Sequence, residues 1–144
     1  MAATDALDQV LLLSSLVQAD LARFEMQEGL STARVHLLWA LGKSGPSTQR
    51  ALASALGVTP RNVTGLVDGL VASGHLTREP HPDDRRATLV TLTDLGRRTV
   101  DALVASHADL AQQLFGDVPA DRLAIFVDVI DDTTRRFASL MEAT

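Results

Sequence analysis

The sequence predicts a mainly α-helical fold with one small β-hairpin, an α+β architecture, on three observations. Apolar residues recur at helical spacing through most of the 144 residues. Between about residues 76 and 93 that period gives way to alternation on either side of a polar loop holding Pro80 and Pro82. Helix punctuation is dense, with Gly29, Gly42, Gly45-Pro46, Gly57, Thr59-Pro60, Gly74 and the stretch from Gly116 to Pro119 dividing the chain into helix-sized pieces.

Composition narrows the class. With 46 % hydrophobic and 22 % charged residues the chain has the balance of a folded globular protein, and its length suits one domain over residues 1–144. Aromatic residues are only 3 %, so Leu, Val and Ala must build the core. There is no cysteine, which excludes disulfides, thiolate metal sites, cysteine nucleophiles and thiol-based redox sensing. No run of about 18 apolar residues occurs, and the N-terminus lacks the basic start and cleavage site of a secretory signal. A cytoplasmic protein with no membrane partner is expected.

Taken in order, the first helix is expected over residues 5–28, where Leu7, Val10, Leu11, Leu13, Val17, Leu21 and Phe24 keep the helical period up to Gly29. Ser31-Thr32 signals a second start, with Val35, Leu38 and Leu41 on one stripe and Gly42 as the stop. After the Gly45-Pro46 turn, Ser47 is expected to cap a short helix that turns Ala51, Leu52, Ala55 and Leu56 inward and ends at Gly57. Thr59-Pro60 opens the next helix, with Pro at the first helical position, where its missing N–H costs nothing. Val63, Leu66, Val67, Leu70 and Val71 form its apolar face, and Gly74 ends it. Two short helices joined by a tight glycine turn, the second polar on its outer side, make a helix-turn-helix.

Residues 76–79 then read as a strand, 80–87 as a loop and 88–93 as the returning strand. A hairpin directly after a helix-turn-helix is a wing. Asp94 is expected to cap a long helix to about residue 115, in which Val100, Leu103, His107, Leu110 and Leu114 alternate by three and four like a coiled-coil seam. A last helix over residues 120–141 carries Leu123, Phe126, Val127, Ile130 and Phe137 on its apolar side. The whole is a winged helix-turn-helix core, residues 31–93, flanked by long N- and C-terminal dimerisation helices, residues 5–30 and 94–141. The flanking helices are rich in Leu, Val and Ile with little central domain to pack on, so a second copy is the expected partner.

Charge is distributed unevenly along this plan. The chain carries a net charge of −5, yet residues 34–98 hold nine Lys/Arg against five Asp/Glu, a balance of +4. The two flanks hold four Arg against thirteen acids, a balance of −9. A basic centre between acidic ends suggests an anion-binding middle carried by elements with another task.

The segment Leu76-Thr-Arg-Glu-Pro-His-Pro-Asp-Asp-Arg-Arg-Ala-Thr-Leu-Val-Thr-Leu-Thr-Asp-Leu-Gly96, together with the order of elements, closely resembles the MarR family of bacterial transcriptional regulators. The most specific part is Asp84-Arg85-Arg86 followed by residues 88–93 and Gly96, which is similar to the family's Asp-x-Arg wing signature. Residues 58–70 are similar to its recognition helix. The resemblance covers nearly the whole chain and implies an obligate homodimer with interleaved terminal helices, in agreement with the apolar stripes.

Candidate site residues follow. A recognition helix enters the major groove N-terminal end first, and its positive dipole end suits a phosphate. Thr59, Pro60, Arg61, Asn62 and Thr64 lie on or near its first turn, away from the apolar face. Arg61 has the geometry to pair with guanine and Asn62 with adenine; the plainer roles are a phosphate contact for Arg61 and hydration for Asn62. Thr48 and Gln49 either donate to phosphate or start their helix. By resemblance, Arg86 enters the minor groove, Asp84 orients it and Arg85 contacts phosphate, against the plainer role of an exposed Asp–Arg pair. Arg78 braces the wing base or meets phosphate. Arg23, His36 and Trp39 lie near where the family places an effector pocket, although a Trp at such a position is more often core. His36, His75, His81 and His107 have no metal-ligand spacing, and His107 suits an interface.

No Ser/His/Asp spacing, phosphate-cradling glycine loop or carboxylate pair stands out, so the chain is not read as an enzyme and no cofactor is expected. The expectation is a homodimeric regulator, a repressor, that binds a pseudopalindromic operator in double-stranded DNA and is released by a small-molecule effector. The alternative is a winged-helix dimer serving as a protein-interaction module without specific DNA binding.

Overall fold

The computed structural model describes residues 2–144, which are mostly helical, and their contacts fall into two compact units divided between Ala102 and Leu103. The first unit holds α1 (Ala3–Glu28), α2 (Thr32–Ser44), β1 (Ser47–Thr48), α3 (Gln49–Leu56), α4 (Pro60–Ala72), β2 (Leu76–Pro80), β3 (Thr88–Leu92) and the start of α5 (Asp94–Phe115). The strands make an antiparallel sheet in the order β1-β3-β2. In the hairpin Leu76 faces Leu92 and Pro80 faces Thr88, while Ser47 and Thr48 pair with Val90 and Leu89 on the other edge of β3.

The core of this unit is aliphatic. Leu37, Leu38 and Leu41 of α2, Leu52 of α3, Val63, Val67 and Leu70 of α4, Leu76 of β2 and Val90 of β3 are all fully buried. Closing each such side chain off from water contributes about 1.5–3 kcal/mol, which makes this cluster the main source of the unit's stability. By contrast α1 buries none of its residues, and Leu7, Leu11, Leu12 and Leu16 are each more than half exposed.

The expected elements are present, with four local differences. Gly42 does not stop α2, which continues to Ser44 and ends at Gly45, where φ is +75°. Its lack of a side chain serves packing: a Cβ there would lie 2.6 Å from Cγ1 of Val100. Ser47 does not cap α3; it lies in β1, and the Thr48 hydroxyl accepts the Ala51 N–H at 3.1 Å instead. On α3 the buried positions are Leu52 and Ala53, whereas Ala51 and Ala55 are exposed. Finally, Asp94 is already helical, and Thr93 is the cap of α5, its hydroxyl accepting from Gly96 N–H at 3.1 Å and donating to the Gly74 carbonyl at 2.5 Å.

Thr93 and Gly96 stitch the wing's base. The Thr93 N–H bonds the His75 carbonyl at 3.0 Å, and Gly96 passes so close to that same carbonyl that a Cβ would sit 2.1 Å from its oxygen. The two feet of the hairpin are thereby joined to the end of α4 and the start of α5.

The second unit comprises the rest of α5 and α6 (Ala120–Glu142). The rings of Phe115 and Phe126 meet at 5.7 Å across the connection. Beyond that pair, Leu114, Ile125, Val127, Val129, Phe137 and Leu140 are each more than half exposed, and α6 buries no residue. No helix among the described residues is long and apolar enough to cross a membrane.

Two glycines that look alike in sequence should respond oppositely to a methyl group. Gly96→Ala forces a Cβ onto backbone and should lower stability by about 2 kcal/mol, within the range for overpacking. Gly65→Ala meets open space inside α4 and should raise it by about 0.5–1 kcal/mol. Urea denaturation of the two variants beside the parent checks both signs.

Candidate nucleic-acid interface

The N-terminus of α4 is built by three consecutive choices. Thr59 is extended and its hydroxyl accepts the Asn62 N–H at 3.2 Å, an interaction that contributes about 1 kcal/mol in helices generally. Pro60 supplies the first helical position with its φ already set. No acid lies in the first turn, so the positive end of the helix dipole is not offset from within. Here Arg61 and Asn62 are exposed, and their side chains have no hydrogen-bond or ion-pair partner among the described residues.

Thr64, one turn further on, is engaged. Its hydroxyl donates to the Pro60 carbonyl at 3.0 Å and accepts from Gln49 Nε2 at 3.0 Å. The other end of the Gln49 amide accepts from Arg78 Nε at 3.3 Å, so both ends of that amide are used. Arg78 in turn donates through Nη2 to Asp68 Oδ1 at 2.5 Å, an ion pair in which the arginine side chain is 33 % exposed and the aspartate 60 %. Gln49, Thr64 and Arg78 were expected near nucleic acid as separate contributors; the structure joins them, and adds Asp68, which sequence reasoning had not singled out. The spacing of Thr64 and Asp68 by four on one helix was the available signal.

At the wing tip the chain reverses through a turn closed by the Ala87 N–H on the Asp84 carbonyl, 3.1 Å, and the Asp84 carboxylate accepts the backbone N–H of Arg86 at 2.9 Å. Asp84 thus orients Arg86 through the main chain. Neither arginine at the tip, Arg85 or Arg86, has an ion-pair partner among the described residues, and both are exposed. The His81 ring accepts the Asp83 N–H at 3.1 Å and the His81 N–H bonds the Ala87 carbonyl at 3.1 Å, which fixes the loop from its other side.

Thr48 spends its hydroxyl on the α3 cap, as described. Two of the three residues considered for an effector have neighbours outside that set. Arg23 on α1 is exposed and paired with Asp20 at 3.0 Å; His36 on α2 is exposed; Trp39 on α2 is half-buried with the Lys43 ammonium 5.2 Å from its ring centroid. Among the described residues no three His, Cys, Asp or Glu side chains converge to hold a metal ion.

Comparison with known proteins bears on this arrangement. A model of the MarR family matches residues 28–87, the span from the end of α1 through the wing loop. Over 118 residues the chain is 32 % identical to the HTH-type transcriptional repressor NicR of Pseudomonas putida, covering 79 % of this chain and 75 % of that protein. It is 28 % identical over 108 residues to the HTH-type transcriptional regulator YdgJ of Bacillus subtilis, covering 75 % of this chain and spanning 66 % of that relative. Among solved structures, FabT of Streptococcus pneumoniae in complex with DNA superposes with a TM-score of 0.80 at 19 % identity, covering 94 % of this chain and 99 % of FabT, a likeness of fold. From a family model lying over the helix-turn-helix and a relative aligned across three quarters of its length, the chain belongs to the MarR family of transcriptional regulators and not to a class of enzymes.

Proposed function

We propose that the protein is a cytoplasmic homodimer that binds a pseudopalindromic operator in double-stranded DNA sequence-specifically, represses transcription there, and is released by a small-molecule effector. The observation that carries this reading is the placement of three exposed arginines that have no ion-pair partner among the described residues: Arg61 at the start of α4, and Arg85 and Arg86 at the wing tip. Exposed arginines at the end of a helix dipole and on a hairpin tip add little to a fold, whereas a polyanion with two grooves uses both.

In this reading residues 31–93 form the DNA-binding lobe. Arg61 and Asn62 read base edges in the major groove, while Thr48, Gln49, Thr59, Pro60, Thr64 and Arg78 approach the sugar-phosphate backbone around them. Arg86 enters the minor groove with its backbone set by Asp84, and Arg85 contacts phosphate. Residues 5–30 and 94–141 form the dimerisation region. The exposed apolar side chains of α1 and α6 support a second copy as their cover, since single soluble chains seldom expose so many together. A two-fold dimer presents two recognition helices about one helical turn of DNA apart. NicR is named a repressor, which supports repression over activation.

The effector reading falls on Arg23, His36 and Trp39; what supports it is Trp39, a half-buried indole with the Lys43 ammonium 5.2 Å from its ring centroid, a setting that suits a small anionic or aromatic molecule. An effector acts by binding the DNA-incompetent dimer more tightly and shifting the population toward it.

Fluorescence anisotropy with a duplex from the region upstream of the chain's own reading frame tests the DNA reading. Affinity should fall steeply as salt rises. Arg86→Ala should cost about 1–3 kcal/mol of specific binding with the dimer intact, and Asp84→Ala should reproduce part of that loss. A flat titration in dilute buffer would instead favour the protein-interaction module. Leu110→Glu combined with Phe137→Glu should yield monomers in sedimentation; a dimer of unchanged mass removes the proposed dimerisation region.

A further inference from the structure

The structure assigns Asp68 a role as a positioning residue: through Arg78 and Gln49 it holds the wing and α3 at a set angle to α4, so that the two DNA-contacting elements meet the duplex together. The inference rests on the DNA reading above and concerns a residue that contacts neither groove in it.

Four side chains close a ring. Asp68 takes Nη2 of Arg78, Arg78 Nε donates to Gln49, Gln49 donates to Thr64, and Thr64 lies one helical turn before Asp68 on the same face of α4. Three elements, α3, α4 and β2, are thereby tied at one place. Each donor has a direction. The guanidinium is a rigid planar fork, and it sends Nε and Nη2 to two different residues, which a lysine ammonium on a flexible stem does not reproduce. The Gln49 amide cannot rotate by half a turn without losing its bond to Arg78 and drawing the Thr64 hydroxyl proton away from the Pro60 carbonyl. The ring therefore fixes orientation more than a lone pair does.

Stability alone does not account for the aspartate. An exposed ion pair of this kind contributes little to folding. A carboxylate on a recognition helix also repels the phosphates that the rest of the lobe attracts. Those two facts make the sign of its effect diagnostic. If Asp68 were only a solvated anion, neutralising it would improve binding to any duplex. If it positions Arg78 and the wing, neutralising it weakens specific binding and leaves nonspecific binding as it was or stronger.

The experiment uses the full-length chain and two duplexes of equal length, the upstream region and a shuffled version of it, titrated at several salt concentrations. Asp68→Asn should lower affinity for the upstream duplex by about tenfold, the size of coupling expected within one network, with no loss on the shuffled duplex. Because Asp68 itself touches no phosphate and a released Arg78 keeps its charge near the backbone, the salt dependence should stay close to the parent's slope. Arg78→Lys should give a similar loss, and the double variant should lose no more than the larger single one, since both cut the same ring. Asp68→Glu, which keeps the carboxylate, should recover most of the affinity; should Asp68→Asn unfold, the double-variant comparison is read instead between Asp68→Ala and Arg78→Lys. Equal tightening of Asp68→Asn on both duplexes, or losses that add in the double variant, overturns the inference while leaving the DNA reading intact. A parent protein that binds neither duplex overturns both.

Discussion

The burial of aliphatic side chains divides this molecule into a part with a closed core and parts whose apolar side chains stay exposed. Leu37, Leu38, Leu41, Leu52, Val63, Val67, Leu70, Leu76 and Val90 come from α2, α3, α4 and the hairpin, and together they exclude water without any aromatic residue. Arg61 and Asn62 on α4, Gln49 on α3 and Arg78 on β2 all lie on elements that contribute to this cluster. The helices α1 and α6 bury nothing, although they carry Leu, Val, Ile and Phe in comparable density. The same physical requirement, removing apolar surface from water, is met in this cluster and not along those helices.

On the surface of the lobe, polar groups sort into those that are spent internally and those that are spare. Thr48, Thr59 and Thr93 each give their hydroxyl to a helix N-terminus. Gln49, Thr64, Asp68 and Arg78 satisfy one another. Arg61, Asn62, Arg85 and Arg86 are among those left over. This separation has a physical use. Groups already bonded hold the backbone still, so the free ones lose less conformational entropy when they meet a ligand.

Much of this was legible in the sequence because it is local. Thr59-Pro60 states its cap and its first helical position within two residues, and the hairpin is marked by a change of period. The composition pointed to an aliphatic core, and the segment around Asp84-Arg85-Arg86 pointed to the family. What escaped depends on partners distant along the chain. Ser47 and Thr48 form a strand only because Val90 and Leu89 lie beside them, some forty residues on. Gly42 reads as a helix stop until Val100 is seen pressed against it. Thr93 and Asp94 are both good caps, and the choice between them is made by the Gly74 carbonyl, which only Thr93 reaches with a donor. Asp68 is one acid among many until Arg78 is placed next to it.

The stitching at the base of the hairpin carries a mechanical consequence. With Thr93 bonded to both Gly74 and His75, and Gly96 seated on the His75 carbonyl, the two feet of the wing are clamped at adjacent points. A beam clamped at its root does not swivel there. A sideways load on the far end is delivered as torque to the last turn of α4 and the first turn of α5 instead of dissipating in a loose joint.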